Sequence, residues 1–343
     1  MAPPTRCLVW GAGAIGGTLG AYLARAGHDI TLVDAATDHV DAINANGLCI
    51  TGPIAEFTVR LTARPPARLT GSWDTIILAT KAQHTEAAAR ALLPHLTPAG
   101  CVVSAQNGLN ELTIARVVGE ERTVGAFVNF GADYLEPGSI LYGGRGTVMV
   151  GEGFGAERVT PRVLAIRDAW RDFDERADTT PNIWGYLWGK EAYGAMLFAT
   201  ALTNDSIADC LARPEYRGLY IALAREILAV AKARGVRPEA FDGFDPRAYQ
   251  PDAPAGAAQQ SLDHLVAHNR KSAKTHSGIW RDLAVRKRPT EVDAQLGIVV
   301  SLGAEAGVPA PLTSAVVKLI HEIEQGVRAQ SLEALDVLAA VLA

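Results

Sequence analysis

Arg6-Cys7-Leu8-Val9-Trp10-Gly11-Ala12-Gly13-Ala14-Ile15-Gly16-Gly17 is the stretch that decides the fold. Its apolar run reads as a buried strand, its glycines stand in G-x-G-x-x-G spacing, and the Ala/Leu-rich segment from Thr18 to Ala26 reads as the helix leaving the turn. Gly11 permits the tight turn, Gly13 lets the backbone approach a pyrophosphate, and Gly16 lets helix and strand pack closely. Ala14 and Ile15 lie at the helix start, which offers N–H groups and a positive dipole end to phosphate. Gly-rich strand-to-helix turns also occur for packing reasons, so the context decides. Gly27 ends the helix, Ile30 to Val33 form a second buried strand, and Asp34 follows 18 residues after Gly16, near the spacing of the acid that binds the adenine ribose. An Asp there accepts from both ribose hydroxyls and repels a 2′-phosphate, which favours NAD, with NADP as the alternative. The same Asp read as a cap of the next helix competes over cofactor choice, since Thr37 and Asp38 cap equally well.

At 343 residues the chain predicts two domains. Hydrophobic residues at 48% and charged residues at 20% suit a globular protein with a large core, and a net charge of −5 calls for neither nucleic acid nor an anionic membrane. The four cysteines, Cys7, Cys49, Cys101 and Cys210, are scattered without C-x-x-C spacing, which fits a reducing cytoplasm. No signal-peptide pattern precedes the first strand, and no apolar run approaches the ~20 residues of a membrane span.

After Asp34, residues 37 to 46 read as a helix, and Leu48-Cys49-Ile50 and Phe57 to Leu61 as strands around a Gly-Pro turn. Asp74 to Thr80 is a buried parallel strand with Lys81 at its C-terminal end, where ligands bind in an open α/β sheet. A helix from His84 to Leu93 follows, broken by Pro94 and Pro98-Ala99-Gly100. The strand Cys101 to Ala105 then runs into Gln106-Asn107-Gly108. Asn107 reads as a turn residue tolerating positive φ or as a group bonding nicotinamide or substrate. Glu111 to Val118 is helical, Thr123 to Glu152 reads as antiparallel strands, and Pro161 to Arg171 is a helix. Beyond residue 180 only helices appear: Trp188 to Leu202, Tyr216 to Arg234, Leu262 to Asn269, Thr290 to Gly303 and Leu312 to Gly326. Asp242 to Gln259, rich in Pro, Gly and Asp, reads as a solvated connector. The expected architecture is α/β: a Rossmann-type domain over 1–180 and an all-α domain over 181–343.

Gly11/Gly13/Gly16, Thr80-Lys81 and Gln106-Asn107-Gly108, followed by an all-helical half, resemble the ketopantoate reductase (2-dehydropantoate 2-reductase) family. Tyr186-Leu187-Trp188-Gly189-Lys190 is similar to its W-x-K segment, and Arg288-Pro289-Thr290-Glu291-Val292-Asp293 to its R-x-T-E-I-D segment. The resemblance implies an NAD(P)-dependent oxidoreductase that reduces a 2-oxo acid such as ketopantoate. Lys190 is then the general acid, a cation that stabilises and protonates the developing alkoxide, and Glu291 the supporting carboxylate. As a surface residue Lys190 would oppose its helix dipole, whereas an acid at the position of Glu291 is ordinary in a first turn. Two family asparagines, four and eight residues after the lysine, are here Gly194 and Phe198. That makes a roomier, more apolar wall of Lys190, Tyr193, Gly194 and Leu197, and Gly194 and Ser277 stand at the implied substrate-binding positions. A more apolar ketone or imine is the alternative substrate, and a cofactor-binding sensor without catalysis the alternative of another class.

His264 and His268 share a helix face, but without a third ligand at a matching spacing no metal site is expected. The basic run Arg270, Lys271, Lys274, Arg281, Arg286, Lys287 and Arg288, with His276, reads as a solvated face from which one side chain can bind a substrate carboxylate. The stripe Leu219, Leu223, Ile227 and Val230 packs within the domain or across a homodimer.

Overall fold

The computed structural model describes residues 5–155, 157–271 and 275–342, so Lys274 lies outside the described residues. The chain divides into two compact units, Met1–Ile183 and Trp184–Ala343. The first contains β1 (Arg6–Trp10), α1 (Ala14–Arg25), β2 (Asp29–Val33), α2 (Thr37–Asn46), β3 (Leu48–Thr51), β4 (Phe57–Val59), β5 (Thr62–Arg64), β6 (Trp73–Leu78), α3 (Thr85–Leu92) and β7 (Leu96–Ser104). It continues with α4 (Glu111–Val118), β8 (Thr123–Val128), β9 (Gly131–Glu136), β10 (Ser139–Gly144), β11 (Val148–Glu152), α5 (Pro161–Trp170) and β12 (Asp178–Thr179).

An eight-stranded sheet runs β12-β11-β8-β7-β6-β1-β2-β5. Strands β5 to β8 are parallel, and β11 returns antiparallel to β8. The chain winds outward from β1 through β2 to β5, then crosses back to β6 on the other side of β1, so the strand order reverses between β1 and β6. In a doubly wound sheet that is where a dinucleotide binds. Side chains alternate across the sheet as period 2 requires: Cys7 and Val9 join one core cluster, with Tyr142, Trp170 and Phe173, and Leu8 and Trp10 join the other, with Ile76, Leu92 and Ile114. Each fully buried Leu, Ile or Val contributes about 1.5–3 kcal/mol.

Several boundaries differ from the sequence reading. Helix α1 begins at Ala14, not Thr18, because Gly16 and Gly17 lie within it. Strand β7 begins at Leu96 and passes through Pro98-Ala99-Gly100. The ladder to β6 shifts there, and a bulge is where a proline removes no ladder bond. The strands between Thr123 and Glu152 are shared between two sheets: β8 and β11 belong to the large one, and β9 and β10 to a four-stranded sheet ordered β4-β3-β10-β9.

The second unit is built from α6 (Ile183–Thr200), α7 (Ile207–Ala212), α8 (Arg217–Ala233), α9 (Ala257–Lys271), α10 (Gly278–Trp280), α11 (Ile298–Glu305), α12 (Pro311–Glu324) and α13 (Leu332–Ala339). Helices α7 and α13 were not anticipated from the sequence. The helix read from Thr290 opens instead as a π-turn, Asp293–Gly297, and a second π-turn covers Arg281–Val285. The connector after Asp242 is not simply solvated: Phe241, Phe244 and Tyr249 are buried and pack ring on ring. Glu226, inside the apolar stripe of α8, accepts the N–H groups of Leu312 and Thr313 at 2.9 and 2.8 Å and so caps α12. No helix among the described residues is long and apolar enough to cross a membrane.

Candidate functional site

In the first unit the candidate site is the carboxyl edge of β2, β1, β6 and β7. The three glycines differ in what they tolerate. Gly11 has φ +102°, and a Cβ on it would lie 2.8 Å from the Ala79 carbonyl carbon and the Thr80 nitrogen, so β1 and β6 touch there without room for a side chain. A Cβ on Gly16 would come 2.0 Å from the Gly11 oxygen. A Cβ on Gly13 would meet nothing within 4 Å, which leaves its surface open to a ligand. Gly13 is the N-cap of α1, makes no side-chain cap bond, and no acid follows in the first turn. The N–H groups of Ala14, Ile15 and Gly16 therefore begin a helix whose first turn carries no acid of its own.

Side chains from the neighbouring elements fix this turn. Asp34 Oδ2 accepts the Ala12 N–H at 2.8 Å and Oδ1 accepts the Ala36 N–H at 2.9 Å. The N-cap of α2 is Ala36, whose N–H bonds Asp34, and within the first turn Asp38 Oδ1 accepts the His39 N–H at 2.9 Å, so both acids serve this helix start. His39, buried at 1% exposure, donates from Nε2 to the Ala12 carbonyl at 2.9 Å and accepts the Gly138 N–H on Nδ1 at 2.9 Å, so its two partners specify the neutral Nε2–H tautomer. Sequence inspection missed His39, whose partners lie 27 residues before it and 99 after it.

Lys81 and Asn107 both emerge exposed at this edge, Lys81 after β6 and Asn107 after β7. A buried chain of bonds joins their loops. Gln106 Nε2 donates to the Thr80 carbonyl and to Thr85 Oγ1, each at 2.8 Å, Thr85 Oγ1 donates to Asn110 Oδ1 at 2.8 Å, and Asn110 Nδ2 donates to the Asn107 carbonyl at 2.5 Å. The donor directions are all consistent.

The helical unit carries its own group of sequence-predicted residues. On α6, Lys190, Tyr193, Gly194 and Leu197 are half-buried along one face, whereas Phe198 is fully buried. Phe198 therefore belongs to the core and not to this wall. A Cβ on Gly194 would meet nothing within 4 Å, while one on Gly189 would lie 2.6 Å from the Glu239 carbonyl: Gly189 allows close packing and Gly194 leaves a gap. The Tyr193 ring stacks on Phe244 at 5.7 Å, and its hydroxyl accepts from Asn269 at 3.1 Å. Burial raises the Tyr193 phenol above its ordinary value, and the Asn269 bond opposes this.

Glu291 is buried, flanked by Thr290 and Val292, which are buried as well. Ser277 is buried and accepts the Trp280 N–H at 3.1 Å as the N-cap of α10. In the basic run, Arg286 and Arg288 both bind Asp282, at 3.0 and 2.9 Å, and His276 packs on Trp280 with its ring nitrogens facing Thr275 Oγ1 and the Asn204 carbonyl. His264 and His268 are exposed on α9, and among the described residues no group of three His, Cys, Asp or Glu side chains could hold a metal ion.

Comparison with known proteins covers nearly the whole chain. Residues 7–154 match the family model described as "Ketopantoate reductase PanE/ApbA", and residues 182–324 match its C-terminal counterpart. The 2-dehydropantoate 2-reductase of Mesorhizobium japonicum is 28% identical, covering 92% of this chain and 96% of that protein. That of Archaeoglobus fulgidus is also 28% identical, over 94% and 98%. Among solved structures, a PanE/ApbA family ketopantoate reductase from Ralstonia eutropha has TM-score 0.78 at 24% identity, covering 94% of this chain and 99% of that one. D-mandelate dehydrogenase with NADH and anilino(oxo)acetate has TM-score 0.80 at 20% identity, over 94% and 99%.

Proposed function

This chain belongs to the ketopantoate reductase family of oxidoreductases, and we propose that it reduces the carbonyl of a 2-oxo acid, ketopantoate being the reference substrate. The observation that carries the reading is the glycine turn, closed at Gly11 and Gly16, open at Gly13, with no acid in the first turn of α1.

Those features fit a dinucleotide. Its pyrophosphate would be held by the N–H groups of Gly13, Ala14, Ile15 and Gly16, and its adenine ribose by Asp34, with Lys81 and Asn107 at the nicotinamide side. When bound, the reduced nicotinamide supplies the hydride. Asp34 uses one lone pair of each oxygen on backbone N–H groups, and a carboxylate has about four such sites. Two remain for ribose hydroxyls, and the negative charge opposes a 2′-phosphate, so NAD is the preferred form. This preference rests on charge, with NADP the alternative.

Lys190 donates a proton to the carbonyl oxygen as negative charge builds there, and its cation stabilises that charge before transfer. Glu291 supports it by keeping the ammonium charged and aimed. The family resemblance assigns Asn107, Gly194 and Ser277 to the substrate.

A second reading of substrate is favoured by one observation, the empty space beside Gly194 next to the ring of Tyr193. A 2-oxo acid with a bulky apolar or aromatic side chain fits that wall better than the polar, compact ketopantoate. D-mandelate dehydrogenase, named for an aryl substrate, shares the fold.

The test is a screen of NADH and NADPH oxidation by the purified protein against ketopantoate, phenylglyoxylate and aliphatic 2-oxo acids, with Lys190→Ala as control. Turnover with at least one 2-oxo acid, and its loss by a factor of roughly 10² or more in Lys190→Ala, supports the proposal. Undiminished turnover in that variant removes Lys190 from the mechanism. Cofactor binding without turnover of any carbonyl or imine selects the sensor alternative.

A further inference from the structure

Thr290, just before Glu291, and Asp293, two residues after it, are both bonded to the last turn of α12. Glu324 Oε1 accepts the N–H of Thr290 at 2.7 Å and its hydroxyl at 2.8 Å, and Thr290 Oγ1 accepts the Val292 N–H at 3.2 Å. Glu324 Oε2 lies 2.9 Å from His321 Nδ1, and His321 Nε2 lies 2.9 Å from Asp293 Oδ1. Thr290 is buried and the Glu324 side chain only 10% exposed, whereas Asp293 is 73% exposed.

Both nitrogens of one imidazole thus face carboxylate oxygens. An ionised carboxylate only accepts and a neutral imidazole has a single N–H, so the arrangement is fully bonded only when His321 is the imidazolium. We infer that Glu324 and His321 are positioning residues that hold Glu291 in its working orientation, and that the hold is complete only while His321 carries both protons. The inference rests on the reading of Glu291 as the supporting carboxylate.

The surroundings favour the charged ring. Burial works against it, but the bonds to Asp293 and Glu324 and their charges outweigh burial and raise His321 above its ordinary 6.5. On its own helix, Lys318 faces Glu322, which also binds Arg328. Among the described residues, Asp293 and Glu324 are the charges that act on the ring. Glu226 of α8 caps the opposite end of the helix, Asp336 of α13 binds Tyr216, Glu333 is exposed, and Glu305 of α11 faces Arg234. As pH rises, the proton lost is the one shared with exposed Asp293, because the Nδ1–H bond serves a buried carboxylate. The segment is then held at Thr290 alone.

Two substitutions of Glu324 have different consequences. Glu324→Ala removes every bond to Thr290 and His321. Glu324→Gln keeps an acceptor for Thr290, and its amide N–H donates to Nδ1, so neutral His321 with its proton on Nε2 satisfies both partners. The experiment measures kcat and KM against pH for wild type, Glu324→Ala, Glu324→Gln, Thr290→Val, Thr290→Ser and Glu291→Gln, with the His321 ring titrated by NMR and folding checked by circular dichroism. Displacement of a catalytic group by a small distance costs roughly 10- to 100-fold. Glu324→Ala and Thr290→Val are therefore expected to lose kcat by that factor at every pH, with a smaller change in KM, and Thr290→Ser to recover most of it. In wild type kcat falls as His321 titrates. In Glu324→Gln the His321 pKa drops, and that limb disappears from the profile. If Glu291→Gln loses activity but Glu324→Gln and wild type share one profile, the positioning role is overturned and the reading of Glu291 stands. If Glu291→Gln keeps full kcat, both fall.

Discussion

Asp34 Oδ2 accepts the backbone N–H of Ala12 at 2.8 Å, so the acid that ends β2 also closes the glycine turn that follows β1. One carboxylate serves the architecture of the loop and stands where the adenine ribose is expected. Asp34→Asn should therefore have two separable effects. An amide still accepts from Ala12 but carries no charge, so stability falls by about 1 kcal/mol while the ratio of kcat/KM for NADPH to that for NADH rises. Thermal melts and initial rates with both nucleotides check this. A ratio that does not move removes the charge argument for NAD.

Gly13→Ala and Gly16→Ala, three residues apart, should behave oppositely. At Gly13 φ is −67° and a methyl meets nothing within 4 Å. The folded state accepts the methyl, the melting temperature stays close to wild type, and dinucleotide affinity falls. At Gly16 the methyl would lie 2.0 Å from the Gly11 oxygen, so the variant loses roughly 1–3 kcal/mol or more by overpacking. Paired melting and NADH fluorescence titrations distinguish them.

The gap beside Gly194 makes substitution there a question of substrate. Gly194→Ala removes a helix-interior glycine into open space and should stabilise the protein by up to about 1 kcal/mol. Gly194→Asn places an amide on the wall shared with Lys190 and Tyr193. Its kcat/KM should rise for ketopantoate and fall for phenylglyoxylate. Equal changes for both substrates would mean that this face does not meet the substrate side chain.

Acid stability should depend on Asp174, whose carboxylate is 1% exposed and paired with Arg145 at 3.2 Å and Arg176 at 3.0 Å. Burial pushes its pKa up, but the bonds from Arg176 and the two guanidinium charges prevail and hold it below its ordinary 3.8. For a depressed carboxyl the stabilisation is complete above the unfolded value and disappears as pH falls through the folded one. Glu152, held below 4.5 by Arg162 and Thr160 against its burial, acts in the same direction. Melting temperature should drop steeply below about pH 4 in wild type, and the drop should be shallower in Asp174→Asn, which is already destabilised at neutral pH.

The parallel strands and the glycine turn were legible because their signals are local: a continuous apolar run, glycines at fixed offsets and an acid at the end of the next strand. The start of α1 was misplaced because Gly16 and Gly17, which look like helix breakers, are where α1 must approach β1 and Ile140. Pro98 looked like a breaker for the same reason, and the bulge in β7 absorbs it. His39, Thr85, His321 and Glu324 were not seen at all. Nothing in their neighbourhoods marks them, because what they bond to is distant in the chain.

What the sequence determined by itself is the order of elements, the carboxyl edge on which Gly11, Asp34, Lys81 and Asn107 stand, and the residue types at the implied site, since backbone conformation and side-chain period follow from near neighbours. Tertiary structure alone decided that Phe198 belongs to the core and Gly194 to an open wall, that Asp34 already spends part of its carboxylate on Ala12, and that Glu324 and His321 clamp the segment bearing Glu291. Burial and hydrogen-bond partners are set by whichever elements pack together, and segments tens of residues apart meet only when the whole core closes.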